Sequence, residues 1–439
     1  MRDWVLLAVF VSALPFAVRH TWVGVLLWNW ISLMTPHRLS FGFAYTAPFA
    51  AVAAGATLIS LVFSRSKLKM PRDPPVIVLS LLVLWMCVTT AVAIDPAGSW
   101  EQLSKVLKIQ LMVLVAFAAL HSRKHIELFI WVNVLSIGFY GFKGGIFTIQ
   151  TGGSGRVWGP PGGFIEGNNE LAVALVMVIP LIHYLRSVST RRMVRFGLLS
   201  IMLLSAIAAL GTQSRGALLA ITAMGIFFWL RQKKKLIAGI SIATVAASLI
   251  AFMPTSWDER MGTIQAYEED GSAMSRVMAW RMTMNLAADR PWGGGFGIYT
   301  REIYDKYMPE APLAQAAHSI YFSMLGEHGY IGLFLFVLLF ALSYALAGRM
   351  RRAAMRQPET AWVHLLAGMC QVSIIGYAVG GAFLSLAYFD FAYNIIVMLV
   401  VANRWLTQRR WVHEPNGPFG STSPGAYLAA KPGLARAHS

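Results

Sequence analysis

The chain has 439 residues, of which 56% are hydrophobic and only 13% are charged, whereas soluble globular proteins carry about 25% charged residues. Its formal net charge of +17 is confined to short clusters between apolar runs, a pattern that argues against nucleic-acid binding and is typical of membrane topology. We therefore expect an all-α polytopic integral membrane protein in a lipid bilayer, because lipid offers no partners for open backbone and the alternating pattern of a porin-like barrel is absent.

The first two apolar runs, residues 4–18 and 21–34, are short and are separated by Arg19 and His20. Runs of about 15 residues fall short of the bilayer core, so we expect one of them to be interfacial or re-entrant, which places Met1 in the cytoplasm. If both runs span the bilayer, Met1 lies outside instead.

The rest of the chain continues as a series of apolar runs that are long enough to cross a bilayer. Together with the first runs, they predict about 12 transmembrane helices. The further spans are expected at residues 43–63, 75–94, 103–120, 126–142, 169–185, 196–211, 216–230, 236–253, 318–348, 361–382 and 388–405.

Basic clusters occupy every second connection between these spans, and the positive-inside rule assigns such connections to the cytoplasm. The other connections face the opposite, external side; they are residues 95–102, 143–168, 212–215, 254–317 and 383–387. The chain thereby divides into four regions. They are residues 1–253 (N-terminal membrane helices with a glycine-rich external loop), 254–317 (a large external loop that contains helices), 318–405 (C-terminal membrane helices) and 406–439 (a disordered cytoplasmic tail).

The external loop at 143–168 is dense in glycine and contains the pair Pro160 and Pro161. Irregular backbone of this kind can approach a ligand closely, and long loops without secondary structure are often functional. Its cations, Lys143 and Arg156, are candidate ligands of an anion; an ordinary flexible loop is the alternative.

Arg215 lies in a short external turn within the segment ALGTQSRGALLA, residues 209–220. A lone arginine on this side runs against the positive-inside rule. Because the turn is too short to carry the side chain far from the bilayer surface, Arg215 is a candidate functional residue. A side chain that extends to the lipid headgroups is the alternative.

The large external loop contains a predicted helix at 272–291, which Ser272 or Ser275 can cap. Arg276 would then lie in the first turn, where the helix dipole and a guanidinium together favour an anion. Arg281 follows five residues later, about 140° around the helix. The two arginines do not share a face, and we favour Arg276 as the ligand.

His318 opens the segment HSIYFSMLGEHGYIG and is predicted to begin a membrane helix on the external side. Since residues 330–348 can cross the core alone, this helix projects beyond it by about 18 Å. Tyr321 shares the face of His318, whereas Glu327 points away and is expected to contact another helix. At a helix N-terminus a histidine tends to stay neutral and can act as a general base; a headgroup-facing histidine is the alternative.

Other familiar sites are absent from the sequence. External carboxylates, histidines and cysteines do not cluster at ligand spacing, so we expect no metal and no cofactor. Cys87 and Cys370 lie inside apolar runs as packing residues. The GGGFG segment at 293–297 lacks the GK[ST] ending of a P-loop and is expected to form a close turn. Arginines without a metal suit a pyrophosphate-bearing lipid, and one neutral base suits deprotonation of a hydroxyl.

Several of these segments carry a family resemblance. HSIYFSMLGEHGYIG, which follows a long loop with RMTMNLAADRPWGGGFGIY, resembles the signature of the O-antigen ligase and polymerase superfamily. TQSRGALLA resembles the SRG turn of that family, and GPPGGFIEGNNELA resembles its loop before a span. The opening segment WVGVLLWNWISLMTPHRLSFGFAY resembles the branch of O-glycosylation ligases in exosortase systems.

The resemblance implies a GT-C-like glycosyltransferase of the bacterial inner membrane. It would transfer O-antigen or a related glycan from undecaprenyl pyrophosphate to an acceptor hydroxyl, such as a sugar of lipid A-core, in the periplasm, with inversion and without metal or nucleotide. His318 matches the essential histidine of the family, Arg215 the arginine of its turn, and Arg276 best matches the arginine of its large loop. The further residues expected to bind the pyrophosphate are Arg156, Lys143, Arg281 and Tyr321.

Three other functions stay open. A polymerase that extends a growing chain and a ligase that glycosylates protein keep the chemistry and change the acceptor. A transporter or flippase of polysaccharide lipid would instead place polar or charged residues near the bilayer midplane. The obvious charges in or near the spans are Lys105, Lys108 and Asp390, and all of them can lie within reach of a helix end.

Overall fold

The computed structural model describes residues 1–63, 70–230, 235–236, 239–240, 243–244, 247, 271–355 and 357–414. These residues form helices, turns and irregular segments, with no strand among them. The principal α-helices are α1 (Arg2–Arg19), α2 (Thr21–Met34), α3 (Phe49–Phe63), α4 (Pro74–Ala91), α5 (Pro96–Ala119), α6 (Arg123–Gln150), α7 (Asn168–Val188), α8 (Arg192–Gly211), α9 (Arg215–Leu230), α10 (Gly271–Asp289), α11 (Arg301–Tyr307), α12 (Ile320–Ala354), α13 (Ala361–Gly380) and α14 (Asp390–Thr407).

Seven helices in the described part of the chain are long and apolar enough to cross a membrane. They are α4 to α8, α12 and the segment Pro358–Phe383, which contains α13. α2, α3 and α9 are apolar but shorter. The protein is therefore an all-helical, multi-pass membrane protein, as its composition predicted.

Some expectations fall on residues outside the described ranges. The span at 236–253 lies largely there, together with the basic clusters at 64–69 and 231–234, the loop residues 254–270 and the tail beyond Glu414. The total of about 12 spans, the four-region division and the GT-C-like arrangement therefore stay predictions.

The two ends of the helix bundle differ in charge. One end gathers basic connections, and there Arg410 Nη1 donates a hydrogen bond of 2.8 Å to the carbonyl oxygen of His121. We call this end the basic face; it consists of residues 121–122, 189–191 and 408–414. The opposite end, here called the loop face, consists of residues 35–48, 92–95, 151–167, 212–214, 290–319 and 381–389.

The N-terminus lies at the loop face. Arg2 Nη1 donates a hydrogen bond to the carbonyl oxygen of Leu39 (3.4 Å), and the Asp3 carboxylate accepts one from the backbone N–H of Ala44 (3.1 Å). The expectation that Met1 lies on the same side as the basic clusters is therefore wrong. The apolar run at residues 4–18 is shorter than the helix that contains it. α1 has 18 residues and extends about 27 Å at 1.5 Å per residue, which is close to the thickness of the bilayer core.

α6 is longer than the sequence predicted, since it continues to Gln150 through the first part of the segment assigned to a loop. Its glycines were attributed to irregular backbone, but they serve helix packing. A Cβ at Gly145 would lie 2.4 Å from the carbonyl oxygen of Leu204 in α8, and a Cβ at Gly144 would lie 2.6 Å from the side chain of Val157. Glycine thus lets α6 approach its neighbours closely, and the glycine-rich loop begins at residue 151.

α12 is a long helix with a break in it. It has 35 residues, but Gly329 has φ 66° and ψ −167° and interrupts the helical backbone. The expectation of one uninterrupted helix from His318 into the membrane is wrong in this respect. A Cβ at Gly329 would lie 2.0 Å from the carbonyl oxygen of Pro291, so another segment of backbone occupies the space beside the break.

The segment after α10 supplies the hydrogen bonds that the break removes. The backbone N–H groups of Gly294 and Gly295 donate to the carbonyl oxygens of Gly326 and Glu327, both at 2.9 Å, while Tyr330 N–H donates to Pro291 (3.0 Å). Gly293 N–H donates to the carbonyl oxygen of Arg290 (2.8 Å), so the close turn lies at residues 290–293, where the expected GGGFG segment begins. Gly293, Gly295 and Gly297 have positive φ. The turn fixes the loop face against α12, because unpaired backbone groups away from water are costly.

Labelling in intact cells can test the two faces. In a background with Cys87→Ala and Cys370→Ala, a membrane-impermeant maleimide should label Ser154→Cys in the glycine-rich loop. It should miss Thr190→Cys between α7 and α8 until the cells are permeabilised, because the positive-inside rule assigns the basic face to the cytoplasm. Both positions are exposed in the structure. The reverse pattern would invert the orientation, and labelling of both in intact cells would contradict the two-faced bundle.

Candidate functional site

His318 lies at the loop face, immediately before α12 rather than inside it. The helix begins at Ile320, and the Ser319 side chain caps it by accepting a hydrogen bond from Phe322 N–H (3.5 Å). His318 itself has a left-handed backbone with φ 44°. The predicted helix start is therefore two residues too early, and the argument that Tyr321 shares a helical face with His318 does not hold.

α10 packs against the His318 segment through an aromatic contact. Trp280 Nε1 donates a hydrogen bond of 2.8 Å to the carbonyl oxygen of Ala317, and its ring stacks on Phe322 with centroids 4.9 Å apart. Arg276 lies one helical turn before Trp280 and thus on the same side of α10. This arrangement directs the Arg276 side of α10 towards His318.

The charge of Arg276 acts on His318. Burial of the imidazole, together with the positive charge of Arg276, lowers the pKa of His318 below its usual value of 6.5. The neutral form expected from the sequence is therefore favoured, but partial burial is the main cause. The predicted position of Arg276 in the first helical turn is wrong, because Ser272 and Ser275 are themselves helical and α10 is already formed at Gly271.

Arg215 begins α9 beside the same aromatic group. Ser214 Oγ accepts a hydrogen bond from Ala217 N–H (3.2 Å) at the start of this helix. A Cβ at Gly216 would lie 3.6 Å from Cβ of Phe383, and the Phe383 ring lies 6.3 Å from that of Trp280. Three separate sequence segments therefore bring Arg215, Arg276 and His318 to one part of the loop face.

The glycine-rich loop joins this part of the molecule through the turn before α9. Arg156 Nε donates a hydrogen bond to Gln213 Oε1 (3.3 Å), and Gln213 Nε2 donates to the carbonyl oxygen of Gly153 (3.1 Å). Asn168 Nδ2 donates to the carbonyl oxygen of Thr212 (2.8 Å). Arg156 and the Arg215 turn thus form one hydrogen-bonded unit.

Three other predicted residues occupy different positions. Lys143 is exposed on α6 and lines a separate cleft with Arg2 and Arg38. Arg281 is exposed on α10, whereas Arg276 is partly buried, as their angular separation predicted. Tyr321 donates a hydrogen bond to the carbonyl oxygen of Ala378 (2.9 Å), so its hydroxyl joins α12 to α13.

Glu170, in the first turn of α7, is a neighbour that the sequence analysis missed. The charge of Arg276 acts on its carboxyl group as well as on His318. A carboxylate that directly follows a glycine-rich loop, in GNNELA, is a signal that could have identified it. Arg276 therefore lies within electrostatic range of both Glu170 and His318.

A buried polar network supports the site from below. The imidazole of His328 shares hydrogen bonds with Thr89 through Nδ1 (2.7 Å) and with Tyr388 through Nε2 (2.8 Å). The Tyr388 hydroxyl also donates to the Glu327 carboxylate. Glu327 therefore contacts a neighbouring element, but this is the non-helical segment before α14 and not another helix as expected. His328 lies at the centre of the network.

No group of three or more His, Cys, Asp or Glu side chains that could hold a metal ion occurs among the described residues. His318 shares this part of the loop face with the cations Arg276 and Arg215, and Arg156 joins the Arg215 turn. Such a group can bind an anion and accept a proton.

The structure defines a multi-pass membrane protein with arginines and a histidine gathered at one face. Two family models match parts of its chain. Residues 198–337 match a family model described as O-antigen ligase, and residues 1–190 match a family of unknown function. Residues 198–337, which include Arg215, Arg276 and His318, are thus O-antigen ligase-like, as the resemblance predicted. No curated protein matches the chain.

The network beneath the site generates a stability prediction. Tyr388→Phe should lower the free energy of unfolding by about 3 kcal/mol, because the Glu327 carboxylate and the His328 imidazole both lose a buried partner. Tyr321→Phe is the matched control, since it removes one partly buried hydroxyl bond and should cost about 1 kcal/mol. Thermal unfolding in detergent measures both, and equal shifts in midpoint would contradict the role of the network.

Proposed function

We propose that the protein is an O-antigen ligase-type glycosyltransferase that works at the loop face. It transfers a glycan from undecaprenyl pyrophosphate to an acceptor hydroxyl, on the periplasmic side of the bacterial inner membrane. The observation that carries the proposal is the placement of His318 beside Arg276, inside the segment that matches the O-antigen ligase family.

The donor pyrophosphate is assigned to the arginines. Arg276 and Arg215 reach the site from α10 and α9, and Arg156 joins the Arg215 turn through Gln213. Guanidinium groups bind phosphate oxygens in bidentate fashion and keep their charge at all relevant pH values. In this proposal they also stabilise the charge that develops on the leaving pyrophosphate.

His318 is assigned the role of general base. Its imidazole Nε2 or Nδ1 accepts the proton of the acceptor hydroxyl while that oxygen attacks the anomeric carbon. The bond between the anomeric carbon and the pyrophosphate oxygen breaks, and undecaprenyl pyrophosphate leaves with the electron pair. A single direct displacement inverts the anomeric centre.

The acceptor distinguishes the related functions. Transfer to a lipid A-core sugar defines an O-antigen ligase, transfer to a growing chain defines a polymerase, and transfer to protein defines a protein O-glycosylation ligase. A flippase finds less support here. Asp390 lies at the first position of α14, where Ser32 Oγ donates to its carboxylate (2.6 Å), and Lys105 pairs with Glu101 (2.8 Å).

The decisive assay combines purified full-length protein with an undecaprenyl-pyrophosphate-linked oligosaccharide and separate lipid A-core, polysaccharide and protein acceptors. EDTA is included because no metal enters the proposed step. Transfer to one acceptor in EDTA supports the proposal and identifies the acceptor class. Absence of transfer to every acceptor, with or without added divalent metal, contradicts it.

His318→Gln should reduce transfer by about 10²–10⁴-fold, the usual contribution of general acid–base catalysis. For the wild type, the rate should fall as the pH is lowered through the pKa of His318, which lies below 6.5, because only the neutral imidazole accepts a proton. This pH dependence should disappear in the variant. His37→Gln alters another partly buried histidine of the loop face and should retain activity; near-wild-type transfer by His318→Gln would exclude the base role.

Arg276→Lys separates geometry from charge. The substitution keeps the positive charge beside His318 but loses the bidentate fork, so transfer should fall by about 30-fold, equivalent to about 2 kcal/mol for a charged hydrogen bond. The pH profile should keep its position. Arg281→Lys, the same change on the exposed side of the same helix, should have little effect. Equal activity of the two variants would leave Arg276 with only a diffuse electrostatic role.

A further inference from the structure

α6 borders three clefts that share lining residues. The first, at the loop face, has a volume of about 790 Å³ and lies between α1, α2 and α6. The second, of about 680 Å³, shares Trp30, Met34 and Phe139 with the first. The third, of about 420 Å³, shares Val132 and Leu135 with the second and reaches the basic face. We call this continuous depression the α6 groove.

The length of the α6 groove matches a long chain. It extends along α6 from Lys143 to Leu128, a distance of about 22 Å at 1.5 Å per residue. One leaflet of the bilayer core is only about 15 Å deep, half of its total thickness. The acyl chain of a phospholipid therefore fills only part of the groove, whereas a polyprenyl chain can follow all of it.

The walls of the α6 groove are apolar. Phe139 and Leu135 are 37% and 48% exposed, and both line it. Trp30 and Met34 add a further apolar wall from α2. Contact between such side chains and a hydrocarbon chain is energetically favourable, and branched isoprene units can fill an irregular surface of this kind.

Cations gather at one end of the α6 groove. Arg2, Arg38 and Lys143 line its first cleft at the loop face, and none of them has a carboxylate within 4.0 Å in the part of the chain that the structure describes. The nearby Asp3 carboxylate is engaged with the backbone N–H groups of Gly42 and Ala44. Three cations on this face run against the positive-inside rule, which favours an anionic ligand as their reason.

We propose that the α6 groove binds polyprenyl pyrophosphate, with the pyrophosphate between Arg2, Arg38 and Lys143 and the chain along α6. The choice of lipid carrier rests on the proposed function. The site is distinct from that of Arg276 and His318, but a Cβ at Gly162 of the glycine-rich loop would lie 3.5 Å from the Arg38 guanidinium. The groove therefore adjoins the loop that contains Arg156, and it can hold the carrier before transfer or after release.

Photocrosslinking tests chain length and lipid class. Benzoylphenylalanine is introduced at Phe139 or at Leu128 in the full-length protein, and labelling by undecaprenyl pyrophosphate and farnesyl pyrophosphate is measured by intact mass. Undecaprenyl pyrophosphate should label both positions, whereas the shorter farnesyl chain should label position 139 and miss position 128. A tenfold excess of phosphatidylglycerol should displace less than half of the label. Labelling of neither position, or displacement by phosphatidylglycerol at equal concentration, overturns the proposal.

Charge variants test the headgroup position. Arg38→Gln combined with Lys143→Gln should reduce labelling at both positions by at least tenfold. Lys105→Gln, which removes a cation that is paired with Glu101, is the control and should leave labelling unchanged. Unchanged labelling in the double variant overturns the proposed headgroup site. If the double variant does not fold, the comparison of undecaprenyl and farnesyl pyrophosphate in the protein with unaltered charges still tests whether the groove binds a long polyprenyl chain.

The outcomes separate this inference from the proposed function. Transfer that depends on His318, without labelling of the α6 groove, contradicts the groove alone. Labelling of the groove in a protein that transfers no glycan contradicts the proposed function alone.

Discussion

The break in α12 at Gly329 is the constraint on which the loop face depends. A continuous helix would use the carbonyl oxygens of Gly326 and Glu327 internally, whereas here they accept hydrogen bonds from Gly294 and Gly295. The turn after α10 is thus bonded into the α12 backbone. α10 itself carries Trp280 and Arg276, so the position of both relative to His318 follows from this exchange of backbone bonds. Trp85 adds a side-chain donor to the carbonyl oxygen of His328 (2.8 Å), which ties α4 to the same point.

Immediately before the break, buried polar side chains join neighbouring elements, as apolar packing does elsewhere in the bundle. His328, Glu327 and Tyr388 are buried, and burial of such groups is costly unless each finds a partner. The network gives them partners from α4 and from the segment before α14. A shift of any one element would leave several groups unsatisfied together. The network therefore favours a single arrangement of the elements beneath the site, while the residues proposed to contact substrate lie in α10, at the start of α9 and just before α12.

The sequence was informative where the signal is local. His318, Arg276 and Arg215 were each singled out by a signal within a short segment, and the segment that matches the O-antigen ligase model contains all three. The sequence was not informative where a feature depends on contacts between segments that are distant along the chain. The break at Gly329 depends on a turn more than thirty residues earlier, and the position of Met1 depends on Arg2 and Asp3 meeting residues 39–44. The length of an apolar run does not reveal either of these contacts.

α6 presents two unlike surfaces to its surroundings. On one, Gly144 and Gly145 bring its backbone against Val157 of the glycine-rich loop and Leu204 of α8. On the other, Phe139 and Leu135 line the α6 groove. α6 therefore separates the α6 groove on one side from the glycine-rich loop on the other. A side chain added at position 145 would displace α6 from α8. It would therefore change the shape of the α6 groove, although the substitution lies on the opposite side of the helix.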